Sequence, residues 1–568
     1  MPDTHDAHDP RRPRGPRRLP ASSPSRRTLL GASIAFAGTG VLSACSGAGS
    51  DSGSGHGGHG AGGGGPEGFV DPAGREVAAA ERERGSGPVR AMRLTAAATP
   101  LDLGGRTVRS WSYGGDLPGK ELRATAGDTL ALILANHLPQ ATSLHWHGLA
   151  LRNDMDGVPG LTQKPIAPGA DFTYRFTVSH PGTYWVHPHS GTQQDRGLYA
   201  PLIVDDPKEP LSYDKEWVIV LDDWLDGVEG STPDAVLAEL RAGMDHSAGP
   251  GSMGDTGGIG DAGGSGHSGH DMPGMSGMAM TETTAPSAAA GPSRMMMGAR
   301  SELLGGDAGD VAYPHYVVNG RTPQAPSSFR ARPGDRIRLR IINAGGDTAF
   351  RVALGGHEMT VTHTDGSPVR HATTDALLLG MGERYDVLVT AGDGVFPLTA
   401  LAEGKKASAL AVLRTGAGAA PAATARPREL DGRLLTADRL RADASVALSS
   451  REPDRTIRLQ LTGSMAAYDW AFDKKPYSAD RRHPVRAGER VRLVFANSTA
   501  MWHPVHLHGH TFALANVAGG PRKDTAIVLP NGTLTVDFDA DNPGLWMIHC
   551  HNVYHAEAGM MTVLGYRA

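Results

Sequence analysis

Polar and apolar positions alternate with a period of two in three separate stretches of this chain, and the stretches are alike. GDTLALILAN (127–136), GDRIRLRIIN (334–343) and GERVRLVFAN (488–497) each open on glycine and an acid and close on an asparagine nine residues later. Alternation puts every second side chain on one face, so each stretch reads as a strand. Its apolar face needs a second sheet to cover it. The fixed glycine-to-asparagine spacing marks an internal repeat, and three copies predict three β-sandwich domains. A composition of 76 Gly and 40 Pro, with few helix-periodic segments, agrees with an all-β fold of many turns.

The first two copies lie further apart than the last two. The excess matches a low-complexity stretch between Gly243 and Gly306 that carries Met244, His246, Met253, His267, His270, Met272, Met275, Met278, Met280 and Met295 to Met297. It has little apolar pattern for a core and reads as a disordered Met/His-rich surface insertion. An Ala/Gly/Pro-rich run near 416–428 reads as a linker. The expected organisation is therefore a signal peptide at 1–45, a flexible linker at 46–88 and a first domain at 89–208. A second domain follows at 209–415 with its insertion at 243–306, then the linker at 416–428 and a third domain at 429–568.

The N-terminus reads as an address. Ser25-Arg26-Arg27-Thr28-Leu29-Leu30 is a twin-arginine signal, followed by an apolar run to Leu42. Leu42-Ser43-Ala44-Cys45 resembles a bacterial lipobox, which predicts a lipid on Cys45, membrane anchoring and an extracytoplasmic location. The Gly/Ser-rich residues after it would form a tether. A net charge of −5 with mixed signs suggests no nucleic-acid partner.

Cys550 is the only cysteine beyond Cys45, so it has no partner for an intramolecular disulfide within the mature chain. His549 and His551 flank it, His555 follows five residues on and Met560 ten residues on. Cysteine, two histidines and a weak methionine form the ligand set of a blue-copper electron-transfer site. In an extended stretch His549 and His551 point away from Cys550 and can bind a second centre on the other face. Three more His-x-His pairs, His145/His147, His187/His189 and His506/His508, each put two imidazoles on one strand face. Eight neutral imidazoles suffice for three copper ions with positions open to oxygen.

These four strings resemble the copper motifs of multicopper oxidases, the laccase and cuprous-oxidase superfamily, over about residues 90–568. The resemblance implies three cupredoxin-like Greek-key β-sandwich domains and four copper ions. It implies a type 1 copper on His503, Cys550 and His555 with Met560 axial, and a type 2 copper on His145 and His506. It also implies type 3 coppers on His147, His187 and His551 and on His189, His508 and His549. The implied reaction is four one-electron oxidations coupled to reduction of O2 to water. Asp156, eleven residues after His145, stands where relatives keep a carboxylate near type 2 copper. The second acid that relatives often carry near the cysteine is absent at Asn552, Val553 and Ala556, which leaves Glu557 as the nearest candidate. The methionine motifs of the insertion resemble those of copper-resistance oxidases, and thioethers favour Cu(I). Cu(I), with Fe(II) as a variant, is the expected substrate. The alternative is a laccase acting on phenols and aromatic amines.

Overall fold

The computed structural model describes residues 68–243 and 291–568. The signal region, the lipobox and most of the Met/His-rich insertion lie outside the described residues. Strands dominate and form three successive pairs of sheets. The first pair joins two four-stranded sheets, the second two six-stranded sheets, and the third a six-stranded and a five-stranded sheet.

The three repeats occupy equivalent places. Thr129–His137, Arg336–Asn343 and Arg490–Asn497 each lie parallel to the first long strand of their own pair. Gly127, Gly334 and Gly488 have φ of 96°, 87° and 84°, and each begins its repeat at a turn that only glycine adopts without strain. The closing asparagines share one role. Asn136, Asn343 and Asn497 are buried and donate from Nδ2 to backbone carbonyls across the strand end. Their Oδ1 atoms accept from the backbone N–H two residues on. Each asparagine thus satisfies the loose backbone where its strand gives way to a loop.

Three expected boundaries change. The linker at 46–88 is not flexible over its last part: Arg75–Arg84 is a helix with Val77 buried, Phe69 bridges to Arg567, and Arg84 donates to Asn542. Burying Val70 and Val77 against the sandwich offsets the entropy of ordering this segment. The insertion at 243–306 ends in packed chain, because Arg300–Ser301 pairs with Gly306–Asp307 and Leu304 is fully buried. The third sandwich does not start at 429. Leu434–Leu435 extends a sheet of the second sandwich beside Ala376–Leu379, and the first strand of the third is Arg455–Thr462. No helix among the described residues is long and apolar enough to cross a membrane.

Candidate metal centre

Strand pairing gathers the histidine strings. His145–His147 runs antiparallel to Gly182–His187, so His145 faces His187 across the ladder. His503–Leu507 runs antiparallel to Leu545–Cys550, which sets Val505 opposite Cys550 and His506 opposite His549. Alternation along Leu545–Cys550 sends Cys550 to one side and its histidine neighbours to the other.

On the first side, Cys550 Sγ lies 3.6 Å from His503 Nδ1 and 3.7 Å from His555 Nδ1, and the two nitrogens are 3.1 Å apart. Met560 is fully buried, and its carbonyl accepts from Cys550 N at 3.0 Å. On the second side the eight remaining histidines converge. His147, His187 and His551 bring ligand atoms within 4.8 Å of one another, as do His189, His508 and His549, and His145, His147 and His506. Contributions come from the first and third sandwiches, and none of these eight from the second.

The outer nitrogens are tied down, which leaves the inner ones as lone pairs. His145, His187, His506 and His549 donate from Nδ1 to the carbonyls of Asp156, Pro188, Asp524 and Cys550. His508 Nδ1 donates to Asp156 Oδ2 at 2.9 Å. His147 is reversed: Nε2 donates to Asp524 Oδ1 at 3.1 Å and Nδ1 turns inward. The inward atoms, His145 Nε2, His147 Nδ1, His187 Nε2, His189 Nε2, His506 Nε2, His508 Nε2 and His549 Nε2, are buried with no protein partner, and both nitrogens of His551 are too. Buried polar atoms are rarely left so unless something else satisfies them. Outer hydrogen bonds that fix the tautomer and aim the ring are how proteins prepare histidines for metal. The donor set fits copper ions.

Burial, reinforced by neighbouring imidazoles, pushes His187, His189, His508, His549 and His551 well below the ordinary histidine pKa, so they are neutral. For His555 burial works the same way. It is overcome by the Asp310 carboxylate, whose Oδ2 accepts from Nε2 at 2.9 Å, and in the absence of metal the pKa rises to about 10.

Asp156 is fully buried and holds His508 by its carboxylate and His145 by its carbonyl. Glu557 sits on the helix Val553–Ala558 beside a cavity of about 30 Å³ whose walls include His187, His189, Gln194 and His549. That is room for about one water. A cavity of about 830 Å³ is lined by Arg338, His363 and Arg522 and by none of the clustered histidines.

Four residues of this surround carry no signal in the sequence: Asp310, Asp347, Arg384 and Asp524. Each is an acid or base in an ordinary strand or turn. Only tertiary contact reveals Asp310 on His555, or Arg384 Nη1 and Nη2 on Asp524 at 2.7 Å.

Three multicopper oxidase family models match residues 95–209, 287–418 and 450–567. The chain is 49% identical to the multicopper oxidase MmcO of Mycobacterium tuberculosis over 479 residues, which is 83% of this chain and 87% of that protein. It is 30% identical to a copper resistance protein A homolog of Pseudomonas syringae pv. tomato, covering 82% of this chain and 90% of the relative. Among solved structures, a multi-copper oxidase from Pseudomonas thermotolerans superposes with a TM-score of 0.58 at 25% identity, covering 84% of this chain and 99% of that one. The chain belongs to the multicopper oxidase family and is an oxidoreductase.

Proposed function

We propose that the chain is a cuprous oxidase. It would take one electron from each of four Cu(I) ions and pass them to O2, with four protons, to form two waters. In this reading four resident copper ions supply the one-electron acceptor and the site of O2 reduction. His503, Cys550 and His555, with Met560, would hold the mononuclear ion. His145 and His506 hold the type 2 ion. His147, His187 and His551, and His189, His508 and His549, hold the type 3 pair. Cys550 is bonded through its own backbone to His549 and His551, which makes the shortest covalent route between the two centres.

The observation that carries the substrate is the join between the Met-rich segment and His555. Met296, near the C-terminal end of that segment, donates from its backbone N–H to the Asp310 carbonyl at 2.7 Å. The Asp310 carboxylate holds His555 Nε2 at 2.9 Å. At the other end of the segment, Gly243 approaches the Ala466 carbonyl, two residues before buried Tyr468, and Arg241 donates to the carbonyl of Glu557. Both ends of a thioether-rich stretch therefore contact segments next to His555: Asp310, which holds its ring, and Glu557, two residues on. Thioethers collect Cu(I) and have little use for phenols.

Asp156 is suited to proton delivery at the type 2 side, since its buried Oδ1 makes no hydrogen bond and lies 3.2 Å from His145 Nδ1. Glu557 is suited to the type 3 side through the small cavity it shares with His187, His189 and His549. Its carboxyl is pushed up by burial, partly opposed by Arg241, which favours the form that carries a proton. The twin-arginine string and Cys45 support export and lipid anchoring at the outer face of a membrane.

Deleting residues 244–290 tests the substrate. The copper-loaded deletion variant should oxidise Cu(I) several-fold more slowly at low Cu(I) and oxidise a phenol at least as fast as the parent. Unchanged Cu(I) oxidation would put the laccase reading ahead. Mass spectrometry of the mature N-terminus tests the anchor, because cleavage anywhere but before Cys45 removes it.

A further inference from the structure

One carboxylate is linked by hydrogen bonds to both groups that hold His555, without touching it. Asp347 is fully buried in the second sandwich, which supplies none of the ligands proposed above. Its Oδ1 accepts from Asn552 Nδ2 at 2.6 Å. Asn552 Oδ1 accepts in turn from the backbone N–H groups of Tyr554 at 3.0 Å and His555 at 3.2 Å, capping the short helix Val553–Ala558. On its other side, Asp347 Oδ2 accepts from the N–H groups of Asp310 and Val311, each at 3.0 Å. That turn aims Asp310 Oδ2 at His555 Nε2. Lys405 Nζ closes the arrangement. It lies 2.6 Å from Asp347 Oδ2 and also donates to the Asp347 carbonyl at 3.0 Å and Thr348 Oγ1 at 2.9 Å.

We propose that Asp347, neutralised by Lys405, is a positioning residue that sets the orientation of His555 and thereby the reduction potential of the electron-entry site. It does so by holding the Asn552 cap and the Asp310 carboxylate in one frame. The inference rests on reading His555 as a type 1 ligand.

The chemistry favours this over plain packing. A buried ion pair seldom stabilises a fold more than apolar residues of the same volume would. Helix capping by Asn552 needs its Oδ1 alone, yet its amide nitrogen is also fixed. Both carboxylate oxygens of Asp347 accept from the two segments that meet at His555. Asn552 is also the immediate neighbour of His551, so the same frame reaches the point where the chain passes from one centre to the other.

The sign of the effect follows from Asp310. An anion accepting from Nε2–H makes an imidazole a stronger donor and stabilises the oxidised metal. Misaiming that anion raises the potential. The test uses the copper-loaded full chain and compares the parent with D310N, D347N, the double variant D310N/D347N and N552A. Copper content, the potential of the blue band by redox titration and the type 1 hyperfine splitting by electron paramagnetic resonance are measured on each. D310N and D347N should both raise the potential with four coppers retained, and the double variant should rise no further than D310N, since Asp347 acts through Asp310. N552A should change the hyperfine splitting. Should D347N fail to fold, D347L/K405M replaces the whole ion pair by apolar groups and should fold with the same raised potential. Parent values for potential and splitting in D347N or D347L/K405M, or simple addition in the double variant, would overturn the proposal. Absence of a type 1 signal in the parent itself would instead overturn the ligand assignment beneath it.

Discussion

Arg384 and Asp524 lie in different sandwiches and clasp each other through two parallel hydrogen bonds of 2.7 Å, both side chains wholly buried. Asp524 in turn accepts from His147 Nε2 by its carboxylate and from His506 Nδ1 by its carbonyl. Burial alone would raise the Asp524 carboxyl, but Arg384 and the His147 contact hold it well below the usual carboxylate range. Gly148 lies alongside, where a Cβ would sit 2.4 Å from Arg384 Nη2. The second sandwich thus braces histidines to which it adds no ligand.

Removing that brace should be costly. Arg384→Leu leaves a buried carboxylate unpaired, and breaking such a pair costs about 3–5 kcal/mol. Arg384→Lys should recover only part, because an ammonium cannot make the two-pronged contact. Chemical denaturation and copper content of both variants check this. Full stability in Arg384→Leu would mean that Asp524 is held by other groups.

Cys550→Ser should abolish the intense blue absorption and all turnover while the trinuclear copper content stays unchanged. A hydroxyl is a hard, poor substitute for a thiolate at a copper site. Visible absorption and metal analysis of the same sample decide the point, and a variant that stays blue contradicts the type 1 assignment.

Gly382 of the second sandwich has φ 84°, and a Cβ there would lie 2.9 Å from His551 Cδ2 and 3.0 Å from His147 Cε1. Gly382→Ala should therefore strain the backbone and displace those two rings. The expected result is loss of trinuclear copper with the blue band kept. Equal loss of both centres would point to global unfolding instead.

Asp386 supplies a pH test away from the metal centre. Burial would raise its carboxyl, but Arg338 at 2.6 Å and Arg340 at 3.0 Å hold it far below the usual range, and Thr183 of the first sandwich donates to it. A carboxyl depressed in the folded state stabilises above its unfolded pKa, about 4, and that stability drains away as pH falls further. Asp386→Asn should cost about 3 kcal/mol at pH 7. The deficit should shrink progressively below about pH 4. Denaturant titrations at pH 7 and at acid pH measure the difference, and a deficit independent of pH would refute the charge argument.

The sequence by itself determined the strand repeats and the stock of candidate ligands. Period-two alternation, a turn glycine and a closing asparagine are local properties, so the all-β class is legible in 127–136, 334–343 and 488–497. The His-x-His strings and the lone Cys550 are likewise local: spacing alone decides which imidazoles share a strand face. Segment order was less legible. Arg75–Arg84 looks like linker and the stretch after Gly291 like surface insertion, because buried Val77 and Leu304 find a core only in the folded chain. What surrounds the site was decided by tertiary structure alone. His555 meets Asp310, and Asp524 meets Arg384, across gaps that no periodicity spans. Such pairings form because burying several sandwiches together strands charges that must find opposite partners. Their identity depends on which loops meet, and that is a property of the assembled fold.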